Sequence, residues 1–159
     1  GIHAGAGSTP DEVLAAMLES LGQELASTEM FLSVFYGVLD PRQGRLVYAN
    51  AGHPHAYRVP ASGEPERLPT TAPPLGLASA DSLKRNQVAW TPGADLLCLW
   101  TDGLVDQGGS TTFTEERLLA EIMRHRSQPP DAIVEAVFAV ADAATPKPGD
   151  DRTLLVMRI

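Results

Sequence analysis

Apolar residues recur at three- and four-residue spacing from Val13 to Leu25: Val13, Leu14, Met17, Leu18, Leu21 and Leu25 form one stripe of a helix. Thr9 as cap, Pro10 at the first helical position and Glu12 completing a Thr-x-x-Glu box mark its start, and its end is expected near Ala26. The pattern then changes to strands. Met30–Leu39 is rich in aromatic and branched residues, Asp40–Gly44 reads as a turn, and Arg45–Ala51 reads as the return strand of a hairpin. A short strand over His55–Val59 follows, then a loop over Pro60–Pro74 that holds five prolines. Gln87–Trp90 and Asp95–Trp100, joined by Thr91-Pro92-Gly93, read as a second hairpin; the run Leu96–Trp100 is apolar throughout and predicts a strand buried on both faces. Helices are expected over Glu115–Arg126 and Asp131–Ala143. Pro146, Pro148 and Gly149 break the chain before a last strand over Thr153–Ile159, and Gly1–Gly7 reads as a frayed start. Hairpin strands clustered between helices predict an α+β fold with mainly antiparallel sheet, not a doubly wound one.

Composition narrows the function. The 159 residues suit a single domain, 43% hydrophobic and 20% charged. No run approaches a membrane-spanning length, and no basic segment precedes a short apolar one as in a secretory signal. A net charge of −8 argues against nucleic acid and against an anionic membrane surface, both of which call for clustered Lys and Arg. The one cysteine, Cys98, lies in the apolar run; it excludes a disulfide framework and suits a reducing compartment, hence the cytoplasm.

Two acidic positions stand out. Asp102 follows the buried strand in Thr101-Asp102-Gly103, and Asp150-Asp151 precedes the last strand. Carboxylates on turns fixed by buried strands suit a hard divalent cation, which prefers oxygen. The same residues also suit plain turn-making, with the side chains bonding their own backbone. Both readings stay open on the residues alone. His53, beside Gly52 and Pro54, reads as a turn residue; His3, His55 and His125 lack partners at metal spacing. Ser8, Ser33 and Ser62 lack a nucleophile-elbow context, no dinucleotide or P-loop segment is present, and Cys98 reads as core.

Five segments taken together resemble one family. They are Met30–Asp40, Tyr48-Ala49-Asn50-Ala51-Gly52-His53-Pro54, Pro74-Leu75-Gly76-Leu77, Thr101-Asp102-Gly103-Leu104-Val105-Asp106 and Asp150-Asp151-Arg152-Thr153-Leu154-Leu155-Val156. In order and spacing they are similar to the SpoIIE/RsbU-like branch of the metal-dependent serine/threonine protein phosphatases, the PPM superfamily. The resemblance implies stacked antiparallel sheets flanked by helices, and two Mn²⁺ or Mg²⁺ ions whose bridging water attacks phosphoserine or phosphothreonine. It implies that Asp102 and Asp150 are metal ligands and carry the catalysis, with Asp151 outside the metal shell. Asn50, Gly52 and His53 match a signature to which only a structural role is given. The implied substrate is a phosphorylated bacterial regulator of the anti-sigma-factor-antagonist type.

One departure is expected to matter. The family's upstream Asp-x-x-Gly-His-Gly segment has no counterpart here, where the one Gly-His pair is Gly52-His53. The chain therefore reads as about the C-terminal two thirds of such a domain, as a single unit over 1–159. Strand edges left unpaired by missing partners would favour self-association, for instance as a homodimer. The competing reading is a catalytically inert relative that binds a regulatory partner.

Overall fold

The computed structural model describes residues 7–105, 113–144 and 150–159. His3, Asp106 and the expected break at Pro146, Pro148 and Gly149 lie outside the described residues, as does most of the expected frayed start.

The described residues fall into two compact units. The first runs to Pro54 and resumes over Pro69–Thr91. It holds α1 (Pro10–Thr28), β1 (Val34–Asp40), β2 (Arg45–Ala51) and a strand counted below as β5 (Asn86–Ala89). The helix begins as expected: Thr9 N–H donates to Glu12 Oε2 at 2.8 Å. It closes at Glu29, whose φ of 53° turns the chain left-handed while Met30 N–H donates back to Leu25 O at 3.0 Å. That closure takes in Met30, and Leu32 pairs with Leu75 in an isolated antiparallel bridge, so β1 starts at Val34 and not at Met30. β1 and β2 pair antiparallel from Val34↔Ala51 to Asp40↔Arg45, the expected hairpin. Leu14, Ala49, Ala51, Leu75 and Leu83 form this unit's buried core, with Met17, Leu18 and Leu25 packed on it. Each such Leu contributes about 1.5–3 kcal/mol by leaving water.

The second unit comprises His55–Leu68 and Pro92–Ile159. Its sheet is ordered β4-β3-β6-β7, from β3 (Ala56–Val59), β4 (Glu66–Arg67), β6 (Leu96–Trp100) and β7 (Leu154–Arg158), and all its pairings are antiparallel. The two-residue β4 lies inside the loop expected to be irregular. Helices α2 (Glu115–His125) and α3 (Pro130–Ala144) bring Leu118, Ile122, Ile133 and Val137 onto Val59, Leu96, Cys98, Trp100 and Val156. These strand residues alternate along their strands, so they share one sheet face.

One expectation fails. β5 and β6 do not form a hairpin: β5 pairs with β2, Arg45↔Ala89 through Tyr48↔Asn86, and β6 pairs with β3 and β7. Residues 90–95 separate the two strands, more than a tight hairpin loop uses, and the chain passes between units there. Apart from that exchange of partners, the architecture is the antiparallel α+β one expected.

Candidate functional site

The apolar β6 ends where polarity begins. Trp100 N–H donates to His55 O at 3.2 Å, and Thr101 N–H donates to Thr153 O at 3.1 Å. The Thr101 hydroxyl does two further jobs: it donates to Asp151 O at 3.2 Å and accepts from Thr153 N–H at 3.0 Å. A single 3-10 turn, Asp102–Leu104, then anchors itself through buried Leu104 and leaves the Asp102 side chain 60% exposed.

Gly103 explains why that turn contains a glycine. A Cβ there would collide with the carbonyl of Asp151 and crowd that of Asp150. The Thr-Asp-Gly turn therefore lies flush against the Asp150-Asp151 turn. The tertiary fold thus brings the two carboxylates proposed from sequence onto touching turns, beside the carboxyl end of β6 and the amino end of β7. Asp150 Oδ1 also accepts Asp151 N–H at 2.7 Å, the local bond of a turn-making aspartate. Asp151 accepts the Thr101 hydroxyl through its main-chain carbonyl.

Sequence reasoning set His55 aside, and the structure places it at the centre. Its Nε2 lies 2.7 Å from Asp102 Oδ1 and its Nδ1 lies 2.6 Å from Glu115 Oε2. The Tyr57 hydroxyl donates to Glu115 Oε1 at 2.7 Å. The His55 ring is buried and stacks on Trp100, centroids 5.5 Å apart, and Tyr57 stacks on the same indole at 5.1 Å. Burial, and then the bond to Glu115, push the Tyr57 hydroxyl up to about 12, so it is a donor throughout the physiological range. Glu115 and Asp102 stand 60 and 47 residues from His55 along the chain. Spacing carries no trace of such a contact; the one local signal is His55 and Tyr57 two apart, on one face of an extended segment.

The remaining candidates have local roles. Asn50, buried in β2, donates from Nδ2 to His53 O and accepts His53 N–H at Oδ1, both at 2.9 Å. Gly52 closes that turn at φ 77° with Pro74 against it. His125 in α2 faces Glu121 Oε1 at 3.0 Å. Burial pushes the Cys98 thiol up to about 12, which leaves it unreactive in the core.

Among the described residues, no group of three or more His, Cys, Asp or Glu is arranged to hold a metal ion. Asp102 and Asp150 supply the hard oxygens that Mn²⁺ and Mg²⁺ prefer, and they fit such an ion in kind. They are two ligands of a shell that needs further oxygens, from water, from substrate or from other carboxylates.

The antiparallel α+β fold of this chain is shared with solved PP2C-type phosphatase domains. The SiaA-PP2C domain of Pseudomonas aeruginosa shares the fold at a TM-score of 0.80 and 22% identity, over 99% of this chain and 64% of that one. The RsbU and RsbW domains of Rv1364c from Mycobacterium tuberculosis give 0.77 and 27%, over 96% and 42%. Residues 2–159 match the family model for Stage II sporulation protein E (SpoIIE), and the chain belongs to that family, in the SpoIIE/RsbU-type branch of the metal-dependent phosphatases. Two curated relatives are each 31% identical. Protein IcfG of Synechocystis matches over 62% of this chain, and phosphoserine phosphatase RsbP of Bacillus subtilis over 65%. The matches span 16% and 26% of those proteins' own lengths.

Proposed function

We propose that this chain is part of a protein serine/threonine phosphatase that hydrolyses phosphoserine or phosphothreonine on a bacterial regulatory protein, of the anti-sigma-factor-antagonist type. The observation that carries the reading is the contact between the two acidic turns: Gly103 has no side chain, so Asp102 and Asp150 stand on touching loops. The name of RsbP, a phosphoserine phosphatase, and the likeness to an RsbU domain support the same class. We further read residues 1–159 as one domain.

Asp102 and Asp150 are the residues that would hold Mn²⁺ or Mg²⁺. Such ions, when bound, supply an activated water and neutralise charge on the phosphoryl oxygens. The chain's own residues prepare the place. Thr101 locks β6 to the strand-opening turn of β7 through both its hydroxyl bonds, which fixes the spacing of the two acidic turns. The exposure of Asp102 leaves its carboxylate open to a cation from solvent. The net charge of −8 repels an anionic phosphoprotein in general, so productive encounter depends on the cations at this one place.

The test is hydrolysis of p-nitrophenyl phosphate and of a phosphoserine peptide, with Mn²⁺, with chelator, and with Asp102→Asn. Manganese-dependent turnover that chelation abolishes, and that Asp102→Asn lowers by at least about tenfold, is expected. Failure of wild-type turnover with Mn²⁺ would overturn phosphatase activity for this chain alone and leave either an incomplete piece of the phosphatase domain or an inert partner-binding module. The folded baseline of Asp102→Asn should match wild type by circular dichroism, since this turn aspartate contributes little to the core.

A further inference from the structure

We propose that His55 is a positioning residue for Asp102, clamped between Asp102 and Glu115 so that the Asp102 carboxylate is held ready for a divalent cation. The inference rests on the reading of Asp102 as a metal ligand given above.

An exposed carboxylate on a short turn samples several rotamers, and each must be given up when it binds a cation. Asp102 is exposed, but the group that holds it is not. The His55 side chain is only 8% exposed and stacks on Trp100 at an interplanar angle of 13°, which restrains the ring. Its second nitrogen is fixed in turn by Glu115 at 2.6 Å. Glu115 is the first residue of α2, where the helix end favours a carboxylate, and its other oxygen accepts the Tyr57 hydroxyl. The chain Tyr57, Glu115, His55, Asp102 thus runs from a buried aromatic stack out to the acidic turn. Its link lengths of 2.6–2.7 Å are those of charge-assisted hydrogen bonds.

The two ends of the outermost link are held unequally. His55 is held independently of Asp102, by the Trp100 stack and by Glu115, whereas Asp102 on its exposed turn gains a fixed orientation from His55. Oδ1 takes the bond from His55, and a carboxylate can hold a cation while it accepts such a hydrogen bond. Partners of this kind, standing behind a metal ligand, typically alter metal affinity by about 10–100-fold.

The test is Mn²⁺ affinity of the whole chain, from the electron paramagnetic resonance signal of free Mn²⁺, beside the melting temperature without metal. His55→Phe keeps a flat ring on Trp100 and removes both hydrogen bonds; Mn²⁺ affinity should fall about 10–100-fold. A lowered melting temperature with unchanged affinity would overturn the proposal and leave His55 structural. If His55→Phe does not fold, Glu115→Gln decides, because it keeps the shape and weakens the clamp from behind. A loss of at least about threefold is expected there, and unchanged affinity overturns the proposal. Asp102→Asn separates the layers. If it weakens Mn²⁺ binding while His55→Phe does not, the positioning role alone fails. If it has no effect, the ligand reading fails and this proposal falls with it.

Discussion

Gly103 couples geometry to chemistry at the scale of one residue. Its missing Cβ lets the main chain of Asp150-Asp151 approach, and any side chain would have to push the two acidic turns apart. Gly103→Ala should therefore cost about 1–3 kcal/mol in urea unfolding, the usual range for inserting a methyl into a filled space. It should also reduce Mn²⁺-dependent turnover, because the displaced turn carries Asp102. Equal stability of variant and wild type would show that the turns move apart freely. Thr101, Asp102, Gly103 and Asp150 were all legible in the sequence, because polar residues at the end of an unbroken apolar strand mark a turn at a sheet end. His55 and Glu115 were not: their meeting depends on where β3 and the first turn of α2 come to rest, and no spacing encodes that.

Among the elements, β3 and β6 are joined by more than their ladder. Arg58 on β3 donates from Nε to Asp95 Oδ2 at 2.8 Å and from Nη1 to Glu66 Oε2 at 3.1 Å. Burial alone would lower the Arg58 value, but the bonds to Asp95 and Glu66 outweigh it and raise it. Asp95 is itself buried, just ahead of β6. Asp95→Ala removes the buried partner and leaves part-buried Arg58 with Glu66 alone, so it should destabilise by about 1–3 kcal/mol in urea melts. The exposed pair of Arg85 with Asp11 in the first unit is a natural comparison, and Arg85→Ala should shift the midpoint little. A small effect of Asp95→Ala would mean that water reaches Arg58. The strands themselves were readable from alternation and composition, whereas their partners were not. β5 is short and mostly exposed, a pattern that would suit either sheet, and it joins β2.

For the molecule as a whole, alkaline pH is the sensitive direction. Cys98 is raised by burial from 9.0 to about 12, and Tyr57 from 10.0 to about 12 by burial and then by Glu115, against a smaller opposing pull from Arg67. Both groups keep their protons longer when folded, so the unfolded chain gives them up first. Their contribution to stability is complete below about pH 9 and is lost as pH rises from 9 toward 12. The urea midpoint should fall across that window, and the double variant Cys98→Ala with Tyr57→Phe should show a shallower fall from its own starting value. Parallel curves for variant and wild type would place the alkaline sensitivity elsewhere.

The sequence by itself determined the principal helices and strands, the α+β class, the family and the two acidic turns. All of these follow from local periodicity, capping and turn chemistry, or from short motifs in a fixed order. Tertiary structure alone decided that β5 leaves β6 for β2 and that Gly103 seats one acidic turn on the other. It alone also assembled the chain of Tyr57, Glu115 and His55 behind Asp102. The reason is the same in each case. A strand's pattern specifies a face but not a neighbour, and a hydrogen bond spanning 60 residues exists only once packing has fixed both ends.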